Sequence, residues 1–174
     1  ITRPAEAARR FATRLRSLFG PDAAVMVAPL MRIVHDGDLP PLDRVRTLIF
    51  TSRHAVNAFA AKTAARNFGC YTVGDATAAI AREAGFEPIS CNGTADDLAK
   101  RIIADSQTGP CLYVRGEHAA ADIAKRLNTA GTETHETVLY RQQELPLPHE
   151  AQALLAGTEP VVLPLFSPRS ARIF

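Results

Sequence analysis

Five times in this chain an apolar run ends at a small polar or basic residue and a helix-like run begins at once. The stretches are Ile1-Thr2-Arg3-Pro4, Leu48-Ile49-Phe50-Thr51-Ser52, Tyr71-Thr72-Val73-Gly74-Asp75-Ala76-Thr77, Leu112-Tyr113-Val114-Arg115-Gly116 and Leu165-Phe166-Ser167-Pro168. Open α/β sheets bind ligands at the carboxyl ends of their parallel strands. A helix starting there points unpaired N–H groups into the crevice. Ser and Thr hydroxyls add donors and arginine adds charge. The chemistry favoured is the holding of an anion, one with several negative groups.

Each motif also has a purely structural alternative. Thr51-Ser52-Arg53-His54-Ala55-Val56 makes a donor-rich pocket, or Thr51 or Ser52 simply caps a helix. In Gly74-Asp75-Ala76-Thr77-Ala78, Gly74 permits a tight turn or a close backbone approach, while Asp75 can serve as a cap and Thr77 as a first-turn hydroxyl. Arg115-Gly116-Glu117-His118 sets an arginine at a strand end, where a surface ion pair of little weight is the alternative. Ser167-Pro168-Arg169-Ser170-Ala171 echoes the first motif and suggests a pseudo-repeat across two domains. Tyr140 closes a strand just before a linker. It is either a core ring with a wet hydroxyl or a phenol facing an interdomain cleft, able to donate a proton or a hydrogen bond.

Other chemistries find no footing. There is no Gly-x-Gly-x-x-Gly, Walker A, Gly-x-Ser-x-Gly or His-Glu-x-x-His, and His35, His54, His118, His135 and His149 share no metal-type spacing. Cys70, Cys91 and Cys111 read as free thiols in a reducing cytosol. A net charge of +2 is too small to argue for nucleic acid, and the absence of tryptophan with only 6% aromatics weakens a reading as a single-strand stacking platform. No apolar stretch is long enough to span a bilayer, and Ile1-Thr2-Arg3-Pro4 does not read as a signal peptide.

The elements that must position these residues alternate. Apolar spacing predicts a helix over 5–19 ended by Gly20-Pro21, and an extended segment over 25–34 broken by Pro29. There follow strand 45–50, a helix from 52 or 53 to about 63, strand 70–73, helix 75–84, strand 86–90 and helix 95–104. Thr94 is the N-cap of that helix, and Asp97 only partly imitates a capping box. Then come strand 111–114, helix 117–130, strand 134–141, helix 149–156, strand 161–166 and a turn at Ser167-Pro168. Alternation of this kind indicates a parallel α/β architecture.

Proline-bearing linkers near 36–41 and 144–148 bracket the middle block. The chain therefore leaves a first domain, builds a second, and returns. Domain one is expected to comprise 1–35 and 144–174, and domain two, inserted in it, 36–143. Both linkers are extended, so they can pair as a two-stranded β linker between two parallel-sheet α/β domains. Phe174 lies only a few residues into an expected helix, so domain one is expected to be incomplete at its C-terminal side.

This combination resembles the uroporphyrinogen-III synthase family. The likeness rests on Ile1-Thr2-Arg3-Pro4, Phe50-Thr51-Ser52-x-x-Ala55-Val56, Tyr71-x-Val73-Gly74-Asp75-Ala76-Thr77-Ala78, Gly93-Thr94-Ala95-Asp96-Asp97-Leu98, Leu112-Tyr113-Val114-Arg115-Gly116, Val138-Leu139-Tyr140-Arg141 and Phe166-Ser167-Pro168-Arg169-Ser170-Ala171. It implies a cofactor-free, metal-free, monomeric cytoplasmic enzyme. Its substrate would be hydroxymethylbilane, which it would close to uroporphyrinogen III with loss of water and inversion of ring D, through an azafulvenium-type cation and a spiro intermediate. It implies a hydro-lyase of tetrapyrrole (haem, sirohaem, cobalamin) biosynthesis, one to which hydroxymethylbilane synthase could hand its substrate. Tyr140 matches the family's junction tyrosine and would assist departure of the hydroxyl. Ser52, Thr77 and Ser167 match positions facing the cleft; Thr51, Gly74, Gly116, Arg3, Arg115 and Arg169 complete the expected substrate contacts, although each arginine can equally be a solvated charge. Two rivals use the same features: a non-catalytic α/β module binding a polycarboxylate or tetrapyrrole, and a nucleotide-binding enzyme of unusual sequence.

Overall fold

The computed structural model describes residues 1–105, 108–118 and 122–174. Its elements are helix α1 (Ala5–Phe19), strands β1 (Met31–His35) and β2 (Thr47–Phe50), α2 (Arg53–Lys62), β3 (Gly69–Thr72), α3 (Asp75–Glu83), β4 (Pro88–Ser90), α4 (Ala95–Ala104), β5 (Cys111–Gly116), α5 (Ile123–Thr129), β6 (Thr134–Glu144), α6 (His149–Ala156) and α7 (Pro168–Ile173). The six strands lie in the order β1-β6-β5-β2-β3-β4. The pairs β6–β5, β5–β2, β2–β3 and β3–β4 are all parallel. The chain packs as two compact units, Ile1–Val34 with Gln142–Phe174, and His35–Arg141.

The unit His35–Arg141 is built around β2. All four β2 residues are buried, as are Cys111 to Val114 of β5. Strands covered on both faces read as unbroken apolar runs, because helices pack on each side of a parallel sheet. On one face Phe50, Phe59 and Phe86 make a ring cluster with centroids 5.8 to 6.0 Å apart. On the other, Ile49, Tyr71, Leu98, Ile102, Tyr113, Ile123 and Leu127 form one core cluster. Full burial of a large side chain contributes about 1.5–3 kcal/mol. The capping box at α4 is complete: the Asp97 carboxylate accepts from the Thr94 amide at 2.8 Å, and the Thr94 hydroxyl accepts from the Asp97 amide at 3.3 Å. Aspartate thus does what glutamate or glutamine usually does at this position. The α4 C-terminus is pinned to β3, with the Tyr71 hydroxyl donating to Asp105 at 2.7 Å and Arg101 bonding the same carboxylate at 2.8 Å. These bonds, the tyrosine's first, hold the Asp105 carboxyl below its usual range.

The other unit is less regular. In α1 the buried residues are Ala7, Ala8 and Ala12, while Leu18 and Phe19 are exposed. The Ile1 and Thr2 carbonyls accept from the Ala28 and Leu30 amides at 3.0 and 3.1 Å. The Leu30 carbonyl accepts from Leu145 at 2.8 Å, and Arg32 bonds Gln143 at 2.8 Å.

The extended segment 25–34 breaks as expected, with regular strand only beyond Pro29, from Met31. Two expectations need correction. No strand forms over 161–166, where Pro160 and Pro164 interrupt the donors and Val162 is 91% exposed. Of the expected helix 117–130, Glu117 and His118 are not helical, residues 119–121 lie outside the described residues, and the helix proper is Ile123–Thr129 with Asp122 as its cap.

Candidate functional site

In the unit His35–Arg141 the chain steps outward from β2 to β3 to β4, then crosses back to β5 on the other side of β2 and on to β6. The carboxyl ends of β2 and β5 therefore flank the point where successive connections diverge. That is the place where doubly wound sheets leave a crevice. Thr51 and Ser52 follow β2 directly, and Gly116 ends β5.

Ser52 adopts an extended backbone (φ −149°, ψ 150°), and its Oγ accepts from the Ala55 amide at 3.2 Å. It is the N-cap of α2. The same Oγ lies 2.8 Å from the hydroxyl of Tyr140. A serine hydroxyl has two lone pairs and one proton. With the Ala55 amide on one lone pair, its proton can go to the Tyr140 oxygen, which leaves the phenol proton free to point elsewhere. The macrodipole of α2 adds positive potential at the same spot. His54 sits in the first turn of α2, its ring 5.8 Å from that of Tyr140.

A second phenol lies in the same row. The Tyr113 hydroxyl, from β5, is 3.2 Å from Thr51 Oγ1. Burial pushes the Tyr113 phenol up from its ordinary ionisation range, while the Thr51 hydrogen bond and Arg115 pull it back. Consecutive residues after β2 thus each engage one phenol, Thr51 that of β5 and Ser52 that of β6.

The remaining candidates in this unit separate into used and open groups. Arg115 is engaged: Nε donates to Glu136 at 2.7 Å, and Nη1 to the carbonyls of Gly116 and Glu117 at 3.0 and 3.2 Å. Gly116 is buried beneath the Tyr140 ring. Gly74 is the N-cap of α3 with no side-chain hydrogen bond to the helix. Its φ of −154° is open to any residue, and a Cβ there would meet no atom within 4 Å. Turn geometry therefore does not demand glycine, and what Gly74 leaves is open space before the first-turn amides. Thr77 lies in that turn, buried. The Thr72 hydroxyl, at the end of β3, is buried without a partner among the described residues.

In the other unit Ser167 repeats the cap. Its backbone angles are φ −155° and ψ 153°, and its Oγ accepts from the Ser170 amide at 3.1 Å. The Arg3 guanidinium lies 4.5 Å from the centre of the Phe166 ring, which stacks edge-on against Phe11. Arg169 donates to the Gln142 carbonyl at 3.4 Å and lies 3.6 Å from Glu144.

Of the residues expected from the sequence, Ser52, Gly116 and Tyr140 lie against one another, with Thr51 beside them. The sequence reading missed Tyr113 and His54. Both stand inside quoted motifs, but which strand lies beside β2 has no signature in those residues. Among the described residues no group of three or more His, Cys, Asp or Glu side chains is arranged to hold a metal ion. No helix is long and apolar enough to cross a membrane among the described residues.

Comparison with known proteins adds an independent line. The family model HEM4, described as uroporphyrinogen-III synthase HemD, matches residues 10–174. A crystal structure of uroporphyrinogen-III synthetase from Helicobacter pylori 26695 aligns with a TM-score of 0.59 at 18% identity, over 75% of this chain and 61% of that one. The chain thus spans about three-fifths of the length of that relative. No curated protein sequence matches it.

Proposed function

The chain belongs to the uroporphyrinogen-III synthase family, and from that premise we propose that it acts as a hydro-lyase, closing hydroxymethylbilane to uroporphyrinogen III. One observation carries the reading. A phenol hydroxyl sits 2.8 Å from a helix-capping serine at the sheet's switch point, a proton donor already provided with a partner for the charge it will bear.

The C–O bond of the hydroxymethyl group breaks heterolytically, and the Tyr140 proton leaves with the oxygen as water. Ring A is left as an azafulvenium-type cation, and Tyr140 as a phenolate. Ser52 donates to that phenolate, and the α2 N-terminus lowers its energy. The substituted carbon of ring D attacks, the spiro intermediate fragments, and ring D recloses inverted. The proton lost as the last pyrrole regains aromaticity restores the phenol. No protein nucleophile is needed, because ring closure also happens spontaneously, to the wrong isomer. The protein's task is to hold a flexible polyanion so that the spiro route wins, which is catalysis by positioning.

The side-chain carboxylates of the substrate meet donors. In this reading the open first turn of α3, with Gly74 and Thr77, takes one, and the Thr51 hydroxyl contributes at the next strand. Ser167, Arg3 and Arg169 contribute in the same way from their own unit. Arg115, already bonded to Glu136 and two carbonyls, holds the β5 end and reaches substrate only by leaving those partners. An inserted second domain joined by a two-stranded linker is supported by the division of the chain at Val34/His35 and Arg141/Gln142 and by the adjacency of β1 and β6. A monomeric cytoplasmic enzyme receiving its labile substrate from the synthase that makes it completes the proposal.

The test is incubation with freshly prepared hydroxymethylbilane and separation of the oxidised products by isomer. Predominance of type III over the spontaneous type I supports the enzyme. Tight binding in calorimetry, with a product mixture equal to the protein-free control, would favour a binding module.

A further inference from the structure

Tyr140 reaches Ser52 across an intervening strand. Neighbouring strands lie about 4.8 Å apart, so β6 and β2 are separated by roughly twice that. A tyrosine can bridge the gap only by lying flat over the end of β5. Two features make this possible. The first is a register shift: Arg115 pairs with Val138, but Gly116 pairs with Tyr140, so one residue of β6 is passed over. The second is Gly116 itself. A Cβ there would stand 2.5 Å from Tyr140 Cζ, 2.6 Å from Cε2 and 3.0 Å from the hydroxyl oxygen. The backbone of Gly116 is outside the left-handed region that favours glycine. The ring above it, not its own conformation, is what excludes a side chain.

We infer that Gly116, with the register shift beside it, is a positioning element for Tyr140: the missing side chain is the bed on which the phenol lies, and it sets the 2.8 Å approach to Ser52. This rests on the reading of Tyr140 as proton donor. It assigns Gly116 a role different from substrate contact, since the ring covers it. A methyl group at 116 must lift the ring and carry the hydroxyl away from Ser52. Substrate binding, made by other groups, stays; the timing of proton transfer and the choice of isomer change.

The experiment is a cycle of Gly116→Ala, Tyr140→Ala and the double variant, read in two ways. Thermal unfolding of the protein alone tests the contact. Gly116→Ala lowers Tm, and the same substitution in the Tyr140→Ala background does not lower it further, because the ring that clashed is gone. Steady-state kinetics with isomer analysis tests the role. Gly116→Ala lowers kcat on the order of 10²-fold, as a displacement of about 1 Å can, with KM little changed and the type I share raised. The double variant is no worse than Tyr140→Ala. Equal Tm losses in both backgrounds would overturn the packing claim. Wild-type kcat and isomer ratio in a folded Gly116→Ala protein would overturn the positioning role. A wild-type protein that yields only the spontaneous isomer would sink the enzyme reading and the catalytic role of Gly116 with it, and in that case the Tm cycle still decides the contact by itself.

Discussion

Ser52 and Ser167 are the same device in two places. Both are extended N-caps with φ and ψ within a few degrees of each other, and both accept from the amide three residues on. Their surroundings differ. Ser52 follows a buried strand, heads a helix of ten residues and meets a phenol. Ser167 follows a segment without strand pairing, heads a helix of six residues, and among the described residues its hydroxyl meets Ser170, at 2.9 Å, and no phenol. A serine cap is worth about 1 kcal/mol wherever it occurs. The lesson is that the cap motif marks a helix start, and chemistry depends on what a second strand brings to the same hydroxyl.

The sharpest way to break this contrast is Tyr140→Phe. Loss of a positioned general acid costs about 10²–10⁴-fold, so kcat for type III formation falls by at least the lower figure. Unchanged kcat and kcat/KM would make Ser52 merely a second Ser167. Next is Ser52→Ala, which removes the donor to the phenolate and the cap together. The expected result is a kcat drop of roughly 10-fold, with about 1 kcal/mol of stability lost in denaturant unfolding; Ser52→Thr should recover most of both. Ser167→Ala is the matched control. It should raise KM a few-fold at near-constant kcat, because a contact made equally in ground and transition states leaves kcat alone. A kcat loss matching that of Ser52→Ala would erase the distinction.

The smallest effect lies in the neighbouring pair. Tyr71 and Tyr113 have phenols raised above the ordinary range, chiefly by burial, and burial pushes the Cys70 thiol up to about 12. A group raised in the folded state adds stability that is complete below its unfolded value and lost as pH climbs toward the folded one. Stability should therefore decline from about pH 9 upward, the ordinary thiol and phenol ranges. Absorbance titration should show late-ionising phenol that disappears in part with Tyr113→Phe and in part with Tyr71→Phe. Ordinary titration of all the tyrosine absorbance would refute this.

How much of this could be read from residues alone varied with the range of the interaction. Helix α1 was legible to its last residue, because Pro4, the 3.6-residue apolar spacing and Gly20-Pro21 are all local. The strand-end hydroxyls were legible for the same reason. The strand over 161–166 was not, because β-branched residues make a strand only beside a partner that accepts their hydrogen bonds, and Val162 has none of that cover. The Tyr113–Thr51 pair and the register shift at Gly116 were also hidden. Each depends on strand neighbours that sequence spacing does not encode. Gly116 drew notice as a glycine in a motif, but the atom that excludes its side chain comes from residue 140.

The switch point has a kinetic side. β2–β3 and β3–β4 join strands linked by one short crossover, whereas β2–β5 pairs Phe50 with Val114, and the Ser52–Tyr140 bond spans 88 residues. Closing so long a stretch of chain costs more entropy than the short crossovers from β2 to β4 do, so these contacts gain from being made after the nearer ones. The phenol is expected to find its serine after β2, β3 and β4 have paired. A nascent or partly unfolded chain therefore holds Ser52 as a helix cap before it holds the Ser52–Tyr140 hydrogen bond.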